Sequence, residues 1–562
     1  MMVSREHQVR LTGVVLCAVC VTYFYLVDRI LFSSADFSPI FRFLLTKYDV
    51  TTAWLALGVC SLATLWNRPA PILRFVDFIG RHPIGLALAT MTGLSLLAIF
   101  VYHDYPLSMD EYAAVYQSQI FASGNVVAQV PPNLVDWLVV RGFNGAFLIG
   151  SSETGRVIGA YWPGFALLLA PFQFLNVPWL CNASLSGLAI FLIYWITKEI
   201  TGDRRAGGWA MLFALASGVF AADGISYYSM QAHLAANLLF VALLIKPSGY
   251  RAFGAGIVGS FALILHNPVP HVLFAIPWIA AMAMQRDRRR YLLPLLAGYV
   301  PGVGIGVSWL ALRSEIGLNG HGLATVNGIA SGVFAWPGAA LLNSRAAALV
   351  KMSVWAMPCL FLFAFLGFVR RRADLRIRLL TASAFLTFFA YFFVKFDQGH
   401  GWGYRYFHSA WGTIPILAGC AMTYKSVANP RLISFAGAIA ILSLLLIVPL
   451  QMVQIEGFIS RHLAQLGPPK RPGNNVYLIR PLGGFYLADM IQSDPLIRNP
   501  DLMLVSHGKE LDARLIQENW PNAVKVSSGR AADQWYLGPQ DQRLPIPGKE
   551  PGRQFVLTHV PP

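Results

Sequence analysis

Apolar residues run along this chain in thirteen stretches separated by short polar, basic or Gly/Pro-rich segments. Windows of roughly 17–22 such residues are long enough to cross the hydrocarbon of a bilayer. They fall near 10–27, 50–66, 83–102, 179–197, 206–222, 230–246, 252–266, 271–285, 291–311, 349–369, 379–395, 408–424 and 432–452. The pairs within 206–246 and 252–285 each read as a tight helical hairpin. The shorter apolar run 165–175 is too short to span and reads as a re-entrant or interfacial helix. Past residue 455 the pattern changes. Asn475–Ile479 and Leu502–Ser506 read as strands, each followed by a helix-like run, Phe485–Gln492 and Lys509–Asn519, and Ala523–Val526 reads as a third strand. The expected fold is an all-α polytopic membrane protein of about 13 transmembrane helices with a small C-terminal α/β domain.

Composition agrees. The 562 residues are 56% hydrophobic and 12% charged, about half the charge fraction of a soluble protein. The net charge of +16 is a matter of topology. With the N-terminus inside, the short inner loops and the first residues hold 21 of the 43 Lys and Arg, the bias expected of cytoplasmic loops. Nucleic-acid binding is therefore a poor reading, and residues 455–562 fall outside. The basic start and first apolar stretch lack a small-residue cleavage site, so they read as an uncleaved span. All six cysteines lie in or beside spans, which excludes disulfides from the C-terminal domain.

Three regions follow: residues 1–82, a two-span hairpin; residues 83–454, the remaining spans with long outer loops 103–160 and 312–348; and residues 455–562, the outer domain. The first outer loop carries the most chemistry. Ser108 and Glu111 have capping-box spacing ahead of Tyr112–Ser123, and Gly124 is placed to end that helix. Tyr112, Val115, Tyr116, Gln119 and Ile120 share one side, so an amphipathic helix along the membrane surface is expected. Asp110 and Glu111 open it. Carboxylates beside a membrane are costly unless solvated or used, although acidic residues in a helix's first turn are favoured anyway.

Four features, in this order, resemble the GT-C superfamily of integral-membrane glycosyltransferases, in the branch of bacterial relatives of protein O-mannosyltransferases and the lipid A aminoarabinose transferase. They are the outer-loop pair Asp110-Glu111 with its helix, the segment Tyr161-Trp162-Pro163-Gly164-Phe165 leading into leucines, the hairpin Leu263–Arg290 with its His266-Asn267-Pro268 turn, and Gly401-Trp402-Gly403-Tyr404-Arg405-Tyr406 before a late span. The resemblance covers about 83–454. The chain departs from the family in two ways: two extra spans precede the acidic loop, and His266 and His233 stand where many relatives carry a basic residue and a carboxylate.

The resemblance implies an inverting glycosyltransferase of the bacterial inner membrane. It would move a sugar from a polyprenyl-phosphate carrier to a hydroxyl on a lipid, polysaccharide or protein, on the periplasmic side. Such transfer needs a base for the attacking hydroxyl and donors for the leaving phosphate. The first acidic residue of the motif, the family's proposed base, maps onto Asp110, while the cap already gives Glu111 a structural reason. Arg405, whose fork suits a phosphate beside close-approaching glycines, is expected to hold the donor, with His400 and Lys395 nearby. An interfacial Arg anchored among aromatics and a snorkelling Lys are the plainer readings. Arg156, Tyr161, Trp162, His233, His266 and His271 are the remaining cavity candidates; buried histidines more often satisfy polar neighbours. Partners would be the lipid-linked sugar, membrane lipids and an acceptor glycan or lipid, with no nucleic acid. No cofactor is implied, no His/Asp/Glu spacing specifies a metal, and a divalent metal stays open. The alternatives are a lipid flippase or transporter and a polysaccharide ligase using lipid pyrophosphate. The first would need paired charges inside spans, whereas the span interiors read as nearly free of ionisable groups.

Overall fold

The computed structural model describes residues 5–26, 38–317, 336–395, 398–422, 430–468 and 471–539. Positions 318–335 of the second outer loop, Lys425 of an inner loop and the Pro-rich end lie outside the described residues. The chain gathers into two compact units. One holds Met1–Tyr102, Asn182–Val303 and Ala324–Ile455, and the other His103–Cys181, Gly304–Leu323 and Glu456–Pro562.

Each of the thirteen apolar stretches falls on helix. Six helices are long and apolar enough to cross a membrane, and up to eight if each bent pair counts as one span. The bent pairs are Arg204–Leu215 with Gly218–Ile225, turned by 68°, and Ala339–Trp355 with Leu360–Arg371, turned by 93°. Others, such as Met230–Leu244 and Val269–Met284, are shorter apolar helices. Local chemistry sets many of the starts. Pro69 and Pro83 open helices Pro69–Arg81 and Pro83–Phe100, where a missing N–H costs nothing. Asp203, Ser248 and Asp374 cap others through side-chain oxygens. Small residues let backbones meet: a Cβ on Gly367 would strike the Leu417 carbonyl, and one on Gly419 that of Ala206.

The first unit corrects one expectation. Its apolar helices do enclose ionisable groups. Lys351 Nζ lies 2.7 Å from Asp49 Oδ2 with both side chains fully buried. His408 Nδ1 lies 2.9 Å from Asp223 Oδ2, also buried. The partners are 302 and 185 residues apart, so neither pair is visible in the local pattern.

The second unit holds two small sheets. Strands β1 (Ala128–Gln129), β2 (Leu148–Gly150) and β3 (Arg156–Gly159) form an antiparallel sheet in the order β1-β3-β2. Strands β4 (Asn474–Ile479), β5 (Asp501–Val505), β6 (Val524–Ser528) and β7 (Ala532–Gly538) form the other, in the order β5-β4-β7-β6. The three expected strands are there, with helix Lys509–Asn519 after β5. The expected helix Phe485–Gln492 is reduced to a 3₁₀ turn, Leu487–Met490, entered through left-handed Tyr486. β4 is central, parallel to β5 and antiparallel to β7. Its alternation feeds two cores. Tyr477 and Ile479 pack with Leu487, Met490, Ile491 and Val505. Val476 and Leu478 join Leu502, Leu504, Leu515 and Trp520 in a core that also takes Met109, Tyr112, Tyr116, Ile120, Leu134 and Leu148. Residues 109–157 and the C-terminal segment thus share one hydrophobic interior.

That packing overturns the surface-helix expectation. Helix Met109–Ala122 is buried nearly all round, including Glu111, Ala113, Gln117 and Ser118. Its end is as expected: Gly124 takes a φ of 78°, with Gly124 N–H on the Phe121 carbonyl and Asn125 N–H on the Ile120 carbonyl, a Schellman closure. The short apolar run forms helix Gly164–Phe174, eleven residues long.

Candidate functional site

In the second unit the two carboxylates of the acidic pair have different surroundings. Glu111 is fully buried. Its Oε2 accepts from the Leu107 N–H at 3.0 Å and from the Ser108 hydroxyl at 3.5 Å. The Ser108 side chain donates to Glu111 rather than accepting a helix N–H, and Glu111 reaches back as far as Leu107. The N–H of Met109, first in the helix, is met instead by Asp489 Oδ1 at 3.1 Å. The Tyr112 hydroxyl donates to the Ser493 carbonyl at 2.6 Å and accepts the Ser493 N–H at 2.9 Å. Gln492 Nε2 donates to the Pro106 carbonyl at 2.7 Å. Segment 489–493 therefore grips segment 106–112.

Asp110 stands apart from this scaffolding. It is partly buried, and its Oδ1 accepts from the Tyr161 hydroxyl. Tyr161 is fixed in turn by its carbonyl, which accepts Trp309 Nε1–H at 2.8 Å. The Trp162 ring lies against Gly306, where a Cβ would not fit. Just upstream, His103 and Asp104 both take left-handed backbone angles, φ 58° and 49°, which side-chain-bearing residues rarely adopt in succession. Tyr105 follows. Burial, then the Asp489 and Glu111 carboxylates, push its phenol well above the usual tyrosine range, so it remains an O–H donor.

Arg405 belongs to the first unit, where it opens helix Arg405–Trp411 and is buried. Gln398 organises the loop before it. Its Nε2 donates to the Gly401 and Gly403 carbonyls at 3.2 and 2.9 Å, and its Oε1 accepts the Arg405 N–H at 2.9 Å. Gly401 and Gly403 have φ of 121° and 65°, where glycine is required. The guanidinium donates to the Gln398 carbonyl and sits 4.5 Å from the Tyr228 ring centroid, a stacked cation. Asn182 holds that tyrosine's segment by donating to the Ser226 and Tyr228 carbonyls. A second buried arginine, Arg345, donates to the Val394 carbonyl at 2.6 Å and faces Tyr404. His400 is buried within the loop, whereas Lys395 at its far end is exposed.

The structure brings Asp110 and Tyr161 together, and groups His400 with Arg405. His233 has His266 and His271 within electrostatic reach, but His271 is taken up by Asn237 Oδ1 and the Tyr299 hydroxyl, each at 2.7 Å. That is the plainer reading of a buried histidine. Arg156 pairs with Glu315 at 2.6 Å on an exposed edge. Sequence reasoning passed over Tyr105, Gln398, Arg345 and Asp489. Gln398 lies within the recognised loop region, but Asp489 is 380 residues from its partner. Among the described residues, no group of three or more His, Cys, Asp or Glu is placed to hold a metal ion.

No protein-family model matches the chain, and no curated protein matches it. Among solved structures, the chain is similar to ArnT from Cupriavidus metallidurans bound to undecaprenyl phosphate. The identity is 14% and the TM-score 0.53, covering 80% of this chain and 97% of that one. The apo state of the same protein matches with 13% identity, a TM-score of 0.48 and the same coverage. The chain has an ArnT-like fold, with several helices long and apolar enough to cross a membrane and a small C-terminal β-sheet domain.

Proposed function

We propose that this protein is a glycosyltransferase of the bacterial inner membrane, using a polyprenyl-phosphate-linked sugar and a hydroxyl acceptor on the periplasmic side. The acceptor oxygen attacks the anomeric carbon, the bond from that carbon to the phosphate oxygen breaks, and polyprenyl phosphate leaves with its electron pair. The acceptor's proton passes to Asp110, and the sugar inverts. The observation that carries this reading is the division within the acidic pair: Glu111 is fully buried and bonded by the fold, while Asp110 is only partly buried and is held by Tyr161. The donor class is supported by the ArnT-like fold, since that ArnT structure is bound to undecaprenyl phosphate. Arg405 is assigned to the donor phosphate on the strength of its own glycine-lined loop, with His400 and Lys395 as further candidates.

The test is release of polyprenyl phosphate from a lipid-linked sugar by the full protein in proteoliposomes. Asp110→Asn should lower turnover by about 10²–10⁴-fold, the usual worth of a general base. Full turnover by folded Asp110→Asn would sink the base assignment. Failure of the wild-type protein to bind undecaprenyl phosphate, read by native mass spectrometry, would sink the donor class. The buried pairs Asp49–Lys351 and Asp223–His408 favour a second reading, a lipid flippase or transporter. Lipid translocation that survives Asp110→Asn would select it.

A further inference from the structure

The two extra spans at the N-terminus are given no task by the proposed reaction. Their second helical element runs through Pro39–Leu44, a wider π-helical turn Leu45–Asp49, and Val50–Ala63. Such a turn re-aims side chains and is frequent at functional positions. Asp49 closes it and is fully buried. One of its oxygens meets Lys351 Nζ at 2.7 Å and the other accepts the Trp355 indole N–H at 2.7 Å. The Lys351 ammonium lies 5.7 Å from the Phe41 ring centroid and 6.0 Å from that of Trp355. The hairpin thus supplies both a counter-ion and an aromatic wall to a lysine on helix Ala339–Trp355.

This cluster touches the arginine loop. The Tyr48 ring meets Trp402 edge-on at 6.0 Å, and the Trp355 ring meets Trp402 at 5.6 Å. Trp402 is buried and sits between Gly401 and Gly403, the two glycines whose carbonyls Gln398 holds. A Cβ on Gly403 would meet Val219 and the Trp355 Cβ. A buried ion pair is a poor source of stability, because desolvation consumes most of its attraction. Its usefulness lies in fixing one arrangement, and the arrangement fixed here is that of Trp355 and Trp402.

We infer that the N-terminal hairpin is a positioning element: Asp49, through Lys351, Trp355 and Trp402, holds the loop that presents Arg405. The functional half of this inference rests on the donor-phosphate reading of Arg405; the bracing half does not.

The experiment uses the full protein in nanodiscs and the double variant Asp49→Leu with Lys351→Met, which replaces the pair by apolar groups of similar volume. Such replacements usually keep or raise stability. Peptide-resolved hydrogen exchange over 398–405 should quicken by about tenfold or more, since a loop that loses its packing opens locally. Peptides from Leu360–Arg371 should not change. The KM for a lipid-phosphate sugar should rise about tenfold with kcat little changed, the split expected when binding alone is loosened. Unchanged exchange over 398–405 in the folded double variant overturns the brace. Should the double variant fail to fold, Tyr48→Leu removes the ring on Trp402 and leaves the Asp49–Lys351 pair in place, and unchanged exchange over 398–405 overturns it equally. Quickened exchange with unaltered KM keeps the brace and removes Arg405 from donor binding. Wild-type protein that binds no undecaprenyl phosphate defeats the proposed function, while the exchange result still decides the brace.

Discussion

Glu111 offers a sharp separation of structure from chemistry. Replacing it with alanine strands the buried Leu107 N–H, which it holds at 3.0 Å, and loosens the Ser108 hydroxyl, held at 3.5 Å. A hydrogen bond to a charged acceptor is worth about 1.5–3 kcal/mol, and a stranded buried donor costs about 1–3 kcal/mol. The serine contact is at the limit of hydrogen-bond length and its hydroxyl can rotate, so the first bond dominates. Glu111→Ala should therefore lose about 2–3 kcal/mol. Glu111→Gln keeps a neutral acceptor and should lose about 1 kcal/mol. Thermal unfolding of the purified full protein, with hydrogen exchange over 105–123, measures both. Turnover in the same preparations supplies the contrast. Per folded molecule, Glu111→Gln should stay within about fivefold of wild type, whereas Asp110→Asn should hold stability within about 0.5 kcal/mol and lose about 10²–10⁴-fold in rate. If Glu111→Gln loses rate on the scale of Asp110→Asn with exchange unchanged, the division of labour is refuted.

Three further outcomes are expected. At Asp533, burial raises the carboxyl, but hydrogen bonds from Lys525, Arg480 and Ser528 outweigh it and bring it down to about 2. Its contribution is therefore present above about pH 4 and lost as pH falls toward 2. Because Lys525 and Arg480 are partly exposed, about 1–2 kcal/mol is expected. Asp533→Asn should flatten exchange in β4 and β7 between pH 5 and 2.5. Asp489→Ala should quicken exchange at Met109 and lower the melting transition by about 1–2 kcal/mol, because it removes the acceptor at the helix's first N–H. Arg405→Lys loses the stack on Tyr228 and the fork, and lipid-phosphate binding should weaken by about tenfold or more, as read by native mass spectrometry.

What could be read from the chain was local. The thirteen apolar stretches, β4 to β6, helix Lys509–Asn519 and the closure at Gly124 each follow from a few adjacent residues. β7 escaped notice because Ala532–Gly538 opens with Ala-Asp-Gln, a poor strand signature, yet it pairs with both β4 and β6. The amphipathic reading of Met109–Ala122 failed for a non-local reason: its expected apolar side packs in the core of β4 and β5, and its other side is met by β3, where the Gly159 N–H donates to Gln117, and by helix Gly164–Phe174. The acidic pair was visible as a motif, and Glu111's structural use was visible as a spacing, with the Leu107 N–H joining the Ser108 hydroxyl among its partners. Nothing near Lys351 in the sequence marks it; only the fold places Asp49 beside it.

The core shared by the first outer loop and the C-terminal strands also sets a timetable. Met109 is translated 380 residues before Asp489, an interval of about 20–75 s at ordinary elongation rates. Throughout that interval the tyrosines and valines of the loop lack the strands β4 and β5 that complete their core. A ribosome stalled late in the message, or a protease that clips the tail, would leave the acidic helix unfolded even with every membrane span in place. Competence is therefore conferred late, by the segment that carries β4 and β5.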